Sequence, residues 1–198
     1  RVPTMGRGVF VLDAETGAKI SLLQDPVGPV LYSIAADINV LDFDGDGYAD
    51  RIYAADTGGN ILRFDADQTK EIGTAAYWKS YRIASLGDVG NNGGADARKF
   101  LFQPEVLPFR YDGGALKVNI LIGSGDREKP LPSLTSATTT NILNCPASYS
   151  DTYYAASEPS VVTDRFYAVI DDVQAGAAEA TVNASPIVEA NLQAIPRK

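Results

Sequence analysis

Histidine is absent from the 198 residues of this chain, and cysteine occurs once, as Cys145. Without histidine there is no Ser-His-Asp or Cys-His nucleophile system and no imidazole ligand for a metal ion. A single cysteine also excludes zinc sites built from cysteine clusters. Cys145 lies in a polar stretch, where it is equally consistent with an inert loop residue, a reactive thiol or half of a disulfide with a partner outside this sequence.

Long apolar runs and basic clusters are missing as well. No hydrophobic run reaches the ~18 residues needed to cross a bilayer, so we expect no membrane-spanning segment. The net charge is −8, and the 17 Lys and Arg residues are scattered along the chain. Nucleic-acid binding requires a basic patch, and nucleic acid is therefore not an expected partner.

Helical periodicity is nearly absent, and short β-type segments that end in aspartate recur instead. They occupy residues 9–13, 61–65 and 166–171. Asp65 follows Asp13 by 52 residues, and Asp171 follows Asp65 by 106. Repeats of about 40 to 50 residues built from short strands are typical of β-propeller blades. We predict an all-β fold in which residues 1–198 form a segment of one β-propeller domain.

A propeller usually needs ~4 to 8 blades to close its ring. Three to four repeats fall short of that number, so we expect a partial propeller that is completed by the remaining part of a longer one. A hairpin is predicted from residues 51–56 and 61–65, with glycines at its turn. Residues 118–126 resemble its first strand, but their partner strand begins only at Phe166. Residues 127–164 are therefore predicted to be a loop insertion.

Three further elements are predicted from local patterns. Residues 99–102 are interpreted as a strand that follows a glycine-rich loop. Residues 175–180 are rich in alanine and indicate a short helix or turn, and residues 184–188 indicate the start of another strand. Gly123-Ser124-Gly125 lacks the third glycine and the amphipathic helix of a nucleotide-binding loop, and we interpret it as a tight turn.

Residues 42–50 read Asp-Phe-Asp-Gly-Asp-Gly-Tyr-Ala-Asp and place four carboxylates around a glycine turn. Calcium takes ~6 to 8 oxygen ligands, and an Asp-x-Asp-x-Asp-Gly loop supplies them from positions 1, 3 and 5, the carbonyl of position 7 and a later carboxylate. Gly47 falls at position 6, where the chain must bend sharply. The candidate ligands are Asp42, Asp44, Asp46, the backbone carbonyl of Tyr48, and Asp50.

This loop differs from a full EF-hand in its closing ligand. An EF-hand has a bidentate Glu at position 12, where this chain has Tyr53 in a predicted strand. We therefore predict an EF-hand-like loop of nine residues that Asp50 closes. The alternative is a solvated Asp/Gly turn, but four carboxylates this close repel one another unless a cation lies among them. Magnesium is a weaker candidate than calcium because it requires near-ideal octahedral geometry.

Taken together, these motifs resemble the PilC/PilY proteins of type IV pili. Residues 42–67 resemble the calcium-loop blade of that family. Three further stretches resemble it in the same order along the chain: residues 99–106, 122–131 and 164–171. The resemblance covers most of residues 8–172, and it is the combination of motifs that makes it specific.

The resemblance implies a C-terminal propeller domain of a large exported protein at the pilus tip, outer membrane or cell surface. Such a domain supports pilus extension, surface adhesion and twitching motility, with minor pilins and host or abiotic surfaces as partners. The resemblance also implies that Ca²⁺ held by Asp42, Asp44, Asp46, the Tyr48 carbonyl and Asp50 controls pilus extension against retraction. No catalytic residue is expected, and we expect the chain not to be an enzyme.

Two other classes of calcium-using propeller remain as alternatives. Residues 12–17, Leu-Asp-Ala-Glu-Thr-Gly, resemble a blade motif of quinoprotein dehydrogenases, which hold a cofactor at the centre of a closed ring. An integrin-like or lectin-like propeller would bind ligands through several Asp/Gly loops, whereas one such loop is visible in this sequence.

Overall fold

The computed structural model describes residues 6–27, 32–74, 76–87, 98–110, 114–125, 164–174 and 176–193. Within these ranges almost all regular structure is β-strand, which confirms the all-β class. The strands are β1 Val9–Leu12, β2 Lys19–Leu23, β3 Asn39–Leu41, β4 Arg51–Ala55, β5 Asn60–Ala66, β6 Trp78–Ser85, β7 Glu105–Arg110, β8 Leu116–Gly123, β9 Phe166–Asp171 and β10 Ile187–Val188. The helix α1 is Glu179–Ala184, and a 3-10 turn covers Glu189–Asn191.

The strands form three sheets in which neighbours along the chain are mostly neighbours in space. The first sheet is the hairpin β1-β2, the middle sheet has the order β10-β6-β5-β4-β3, and the third has the order β7-β8-β9. Successive strands within a sheet are antiparallel, and β10 joins the edge of β6 in parallel. Small antiparallel meanders that pack on one another are the blades of a β-propeller, and the protein is a partial propeller of this kind.

The middle sheet is covered on both faces. Along β4, Tyr53 and Ala55 belong to one core cluster, whereas Ile52 and Ala54 belong to another. Successive side chains of a strand point to opposite faces of the sheet. Because both faces of this sheet are covered, every residue of β4 is buried. A strand buried on both faces reads as a continuous apolar run, in contrast to the alternating pattern of a half-exposed strand.

The two core clusters join the middle sheet to the other two sheets. The cluster of Tyr53 includes Val118 and Ile120 of β8 and Val169 of β9, all fully buried. The cluster of Ile52 includes Leu23 of β2, with Val9 packed against it. The three sheets are therefore stacked, with the middle sheet between the first and the third.

The predicted hairpin is confirmed as β4 and β5, in register from Arg51 opposite Asp65 to Ala55 opposite Ile61. Its turn depends on Gly59, which has a φ of +78° and lies so close to Gly87 that an added Cβ would be 2.5 Å from the Gly87 nitrogen. Glycine is required there both for the positive φ and for the close approach of the two backbones.

The pairing of the strand at residues 118–126 with the one at Phe166 is also confirmed. β8 and β9 are antiparallel, with Gly123 opposite Phe166. The predicted insertion at residues 127–164 lies outside the described residues except for Asp164, and so does Cys145.

The predicted strand at residues 99–102 is wrong. Regular structure begins only at Glu105, because the backbone of the earlier segment bonds to turns instead of to a neighbouring strand. The Phe100 amide donates to the carbonyl of Asp56, and the Gly125 amide donates to the carbonyl of Lys99. Phe100 is nevertheless fully buried. The apolar residue at this position therefore indicates packing in the core and not pairing as a β-strand.

The predictions for the last segment are confirmed in type but shifted in position. The helix begins at Glu179, near the end of the alanine-rich stretch, and the further strand covers Ile187–Val188. Glu179 accepts a hydrogen bond from the Ser80 amide, and Asn183 accepts one from the Arg82 amide. These side chains bind edge donors of β6 that none of the described strands covers. None of the described helices is long and apolar enough to cross a membrane.

Candidate metal centre

The acidic loop, residues 42–50, connects β3 to β4 in the middle sheet. Its ends are fixed by backbone hydrogen bonds, because the Asp50 amide donates to the Leu41 carbonyl at 3.0 Å and the Ala66 amide donates to the Asp50 carbonyl at 2.8 Å. The loop therefore projects from the paired strands β3, β4 and β5, which hold its two ends together.

Three of the predicted ligands converge. Asp42, Asp44 and Asp50 each offer a carboxylate oxygen, and these oxygens lie within 4.8 Å of one another. The carboxylate of Asp46 is not in this group and accepts a hydrogen bond from the Tyr48 amide at 2.8 Å. Tyr48 itself is exposed. The structure thus brings together three of the four predicted carboxylates.

Backbone amides of the loop orient these carboxylates. Asp42 accepts from the amides of Gly45 and Gly47, at 2.7 and 2.9 Å, one on each carboxylate oxygen. Asp50 accepts from the amides of Phe43 and Asp44, at 2.6 and 3.2 Å. The fold of the loop therefore points both acids inward before any cation is considered.

The two glycines make that fold possible. Gly45 and Gly47 have φ values of +83° and +92°, which side chains with a Cβ rarely adopt. Gly47 is the residue that the loop pattern predicted at the sharp bend, and the structure places a left-handed conformation there.

The residues present fit a hard cation. Ionised carboxylates are acceptor-only groups with about four lone-pair sites each, and calcium prefers such oxygen ligands. Asp42, Asp44 and Asp50 would hold the ion. A bound cation would supply the positive charge that offsets the repulsion among the acids.

Sequence reasoning missed two residues that support the loop. Gln68 donates from Nε2 to Oδ1 of Asp50 at 2.8 Å, and the Phe43 ring lies 4.1 Å from the guanidinium carbon of Arg51. Phe43 also packs against the larger core cluster. The loop pattern constrains neither position, so neither contact could be found from the sequence.

Behind the loop lies a set of buried charges that we call the inter-sheet network: Arg51, Arg63, Asp65 and Asp171. Arg63 is fully buried and reaches Asp65 through one terminal nitrogen and Asp171 through the other, each at 2.8 Å. Arg51 lies 3.5 Å from the second oxygen of Asp65. Two arginines thus face two aspartates, so the charges of the network balance.

This network spans two sheets, since Arg63 and Asp65 belong to β5 and Asp171 ends β9. Tyr53 donates its hydroxyl hydrogen to Asp171 at 2.8 Å. Burial raises the pKa of Tyr53 above its ordinary value, and the negative charge of Asp171 adds to this effect. Burial alone would lower the pKa of Arg63, but Asp171 and Asp65 raise it. Both shifts keep these groups in the protonated forms that the network needs.

Fold and site define the class as a partial β-propeller with an acidic, EF-hand-like loop. Among solved structures, the crystal structure of the Pseudomonas aeruginosa PilY1 C-terminal domain is similar, with a TM-score of 0.43 and 20% identity over 60% of this chain. The matched part is 26% of the length of that chain. No protein-family model and no curated protein matches the chain.

Proposed function

We propose that this chain is a calcium-binding, non-enzymatic propeller module of a type IV pilus biogenesis or tip adhesin protein. The observation that carries the metal site is the convergence of the Asp42, Asp44 and Asp50 carboxylates. The assignment to pili is supported by the four sequence stretches that resemble the PilC/PilY proteins in their order. In this proposal the module works at the pilus tip, outer membrane or cell surface, with minor pilins and external surfaces as partners.

Calcium acts on the loop conformation in this proposal. The ion neutralises the converging acids, and Asp46 and the Tyr48 carbonyl turn toward it as further ligands. The loop then becomes rigid between β3 and β4. A rigid loop in the calcium-bound state and a mobile one without it would let the cation control pilus extension, adhesion and twitching.

Calcium titration by calorimetry tests the metal site directly. We expect saturable binding with a Kd of about 10⁻⁷ to 10⁻⁵ M if the loop is a sensor, and no binding by Asp42→Ala. The matched control is Asp67→Asn, because Asp67 is also a loop aspartate but binds the amide and hydroxyl of Thr69. Calcium binding that survives Asp42→Ala, or that Asp67→Asn abolishes equally, would reject the site.

The pilus assignment needs a cellular experiment. Bacteria that carry Asp42→Ala in the full-length protein should lose surface pili or twitching while they export the protein at its normal level. Asp67→Asn should leave piliation unchanged. Normal piliation in the Asp42→Ala strain, with calcium binding lost in vitro, would separate the metal site from pilus function and contradict the proposal.

A further inference from the structure

The acidic loop and the inter-sheet network touch each other through Phe43. The Phe43 amide donates to Asp50 within the group of converging acids, while its ring covers the guanidinium of Arg51. Arg51 is 4% exposed and begins β4, directly after Asp50. A change in the position of the loop backbone at Phe43 therefore changes what packs on Arg51.

From Arg51 a series of ion pairs leads to the third sheet. Arg51 faces Asp65, Asp65 pairs with Arg63, and Arg63 holds Asp171 on β9. Arg63 also donates to the carbonyl of Val173, the second residue after β9, at 2.9 Å. The last two contacts are part of what holds the middle sheet and the third sheet together.

One link of this chain is incomplete, and it is the link closest to the loop. Oδ1 of Asp65 is buried and makes no hydrogen bond among the described residues, although Nε of Arg51 lies 3.5 Å from it. A buried acceptor without a donor is unfavourable, because it has lost its hydrogen bonds to water. A small movement of Arg51 toward Asp65 would supply this bond.

We propose that cation binding in the acidic loop is coupled to the contact between the middle and third sheets, through Phe43, Arg51 and Asp65. The inference rests on the proposed calcium site. When the loop closes around the ion, Phe43 presses Arg51 onto Asp65, and the completed network holds Asp171 more firmly. Coupling free energies are reciprocal, so weakening the network must also weaken calcium binding.

The main test measures calcium affinity in variants far from the loop. Asp171→Asn should raise the Kd for calcium about 5-fold or more, although Asp171 is not a ligand. Tyr53→Phe removes one hydrogen bond to Asp171 and should raise the Kd less. If Asp171→Asn does not fold, Tyr53→Phe decides the result.

Asp25→Asn is the matched control. Asp25 is buried and paired with Arg82 of β6, and its pair lies outside the network. This variant should lower stability without changing the Kd. An unchanged Kd in Asp171→Asn, or an equal increase in Asp25→Asn, would overturn the coupling.

A double-mutant cycle separates this inference from the calcium site itself. The shifts in denaturation midpoint of Phe43→Leu and Asp171→Asn should not add in the double variant, whereas those of Phe43→Leu and Asp25→Asn should add. If the shifts add in both pairs, the proposed coupling between the loop and the inter-sheet network is wrong, even if calcium binds. If the wild-type chain binds no calcium, the proposed function fails and the metal-linked coupling fails with it. A non-additive cycle would then still show that Phe43 and the inter-sheet network are energetically coupled.

Discussion

Asp56 shows how a single buried carboxylate can set the pH dependence of stability. It is fully buried in the turn between β4 and β5, where it accepts bonds from the amides of Gly58 and Asn60 and from the Asn60 side chain. Burial raises the pKa of Asp56 to about 6, because the Asn60 and Gly58 donors offset the loss of solvent only in part. An aspartate in an unfolded chain titrates near 3.9.

The folded state therefore binds the Asp56 proton more tightly than the unfolded state does. The stabilisation that comes from the protonated Asp56 carboxyl is fully present below pH ~4. It is lost as the pH rises to about 6. We expect this group to lower the free energy of unfolding by about 2 to 3 kcal/mol across that window. Urea denaturation at pH 4, 5, 6 and 7 should show this slope in the wild type and a clearly smaller one in Asp56→Asn, where Asp65, whose pKa is also raised by burial, still contributes. Asp67→Asn, in an exposed turn, should keep it; a wild-type slope in Asp56→Asn would contradict the assignment.

Gly47 tests the backbone geometry of the acidic loop. An added Cβ would meet no atom within 4 Å, so any cost of Gly47→Ala comes from its φ of +92° and not from a clash. We expect a loss of about 1 to 2 kcal/mol in the free energy of unfolding. Gly123→Ala is the control, since Gly123 lies in a strand and its Cβ would make ordinary contact with Phe166. Equal effects in thermal denaturation would show that the loop does not require glycine.

The site could be predicted from sequence where the loop pattern fixes both residue type and conformation. Gly47 has the positive φ that the sixth position requires, and Asp42, Asp44 and Asp50 converge as carboxylates. The supporting residues could not be predicted in this way. Gln68 reaches Asp50 from a turn 18 residues further along the chain, and no spacing rule connects the two.

At the scale of elements, the inter-sheet network is where the structure departs most from what the sequence repeat predicts. The sequence repeat groups Asp13, Asp65 and Asp171 as one type of strand end, but they have different roles. Asp13 is half-buried and accepts hydrogen bonds from Thr16, whereas Asp65 and Asp171 are buried against Arg63. The periodicity predicts where strands end and not what the terminal aspartate binds, because its partner comes from another strand.

Two adjacent aspartates at the end of β9 test how much the inter-sheet network contributes to the free energy of unfolding. Removing one partner of a buried ion pair leaves an uncompensated charge, so Asp171→Ala should cost about 3 to 5 kcal/mol in unfolding free energy. Asp172→Ala should change it by no more than about 0.5 kcal/mol, because Asp172 is exposed and faces Lys117 at 3.6 Å. Chemical denaturation of both variants gives the comparison. Similar costs would mean that the pairing with Arg63 contributes little.

At the scale of the whole molecule, the stack of sheets ends in two apolar faces. The first sheet exposes Phe10, Leu12 and Leu22, and the third sheet exposes residues that include Phe166 and Ile170. The middle sheet, by contrast, has both faces covered. Sequence patterning could predict the strands of each sheet but not which faces meet, since inner and outer positions of β9 are both largely apolar.

Exposed apolar sheet faces of this kind favour association. We expect the isolated chain to self-associate as its concentration rises, and Phe166→Lys to reduce this association because Phe166 is 72% exposed on the outer face of the third sheet. The melting temperature should change little, since the side chain contributes to no core cluster among the described residues.

The control is Tyr48→Lys, which replaces a similarly exposed aromatic residue on the acidic loop and should leave association unchanged. Light scattering coupled to size-exclusion chromatography measures both variants. A wild-type chain that stays monomeric at every concentration would show that these faces do not drive contact between molecules, whatever completes the propeller.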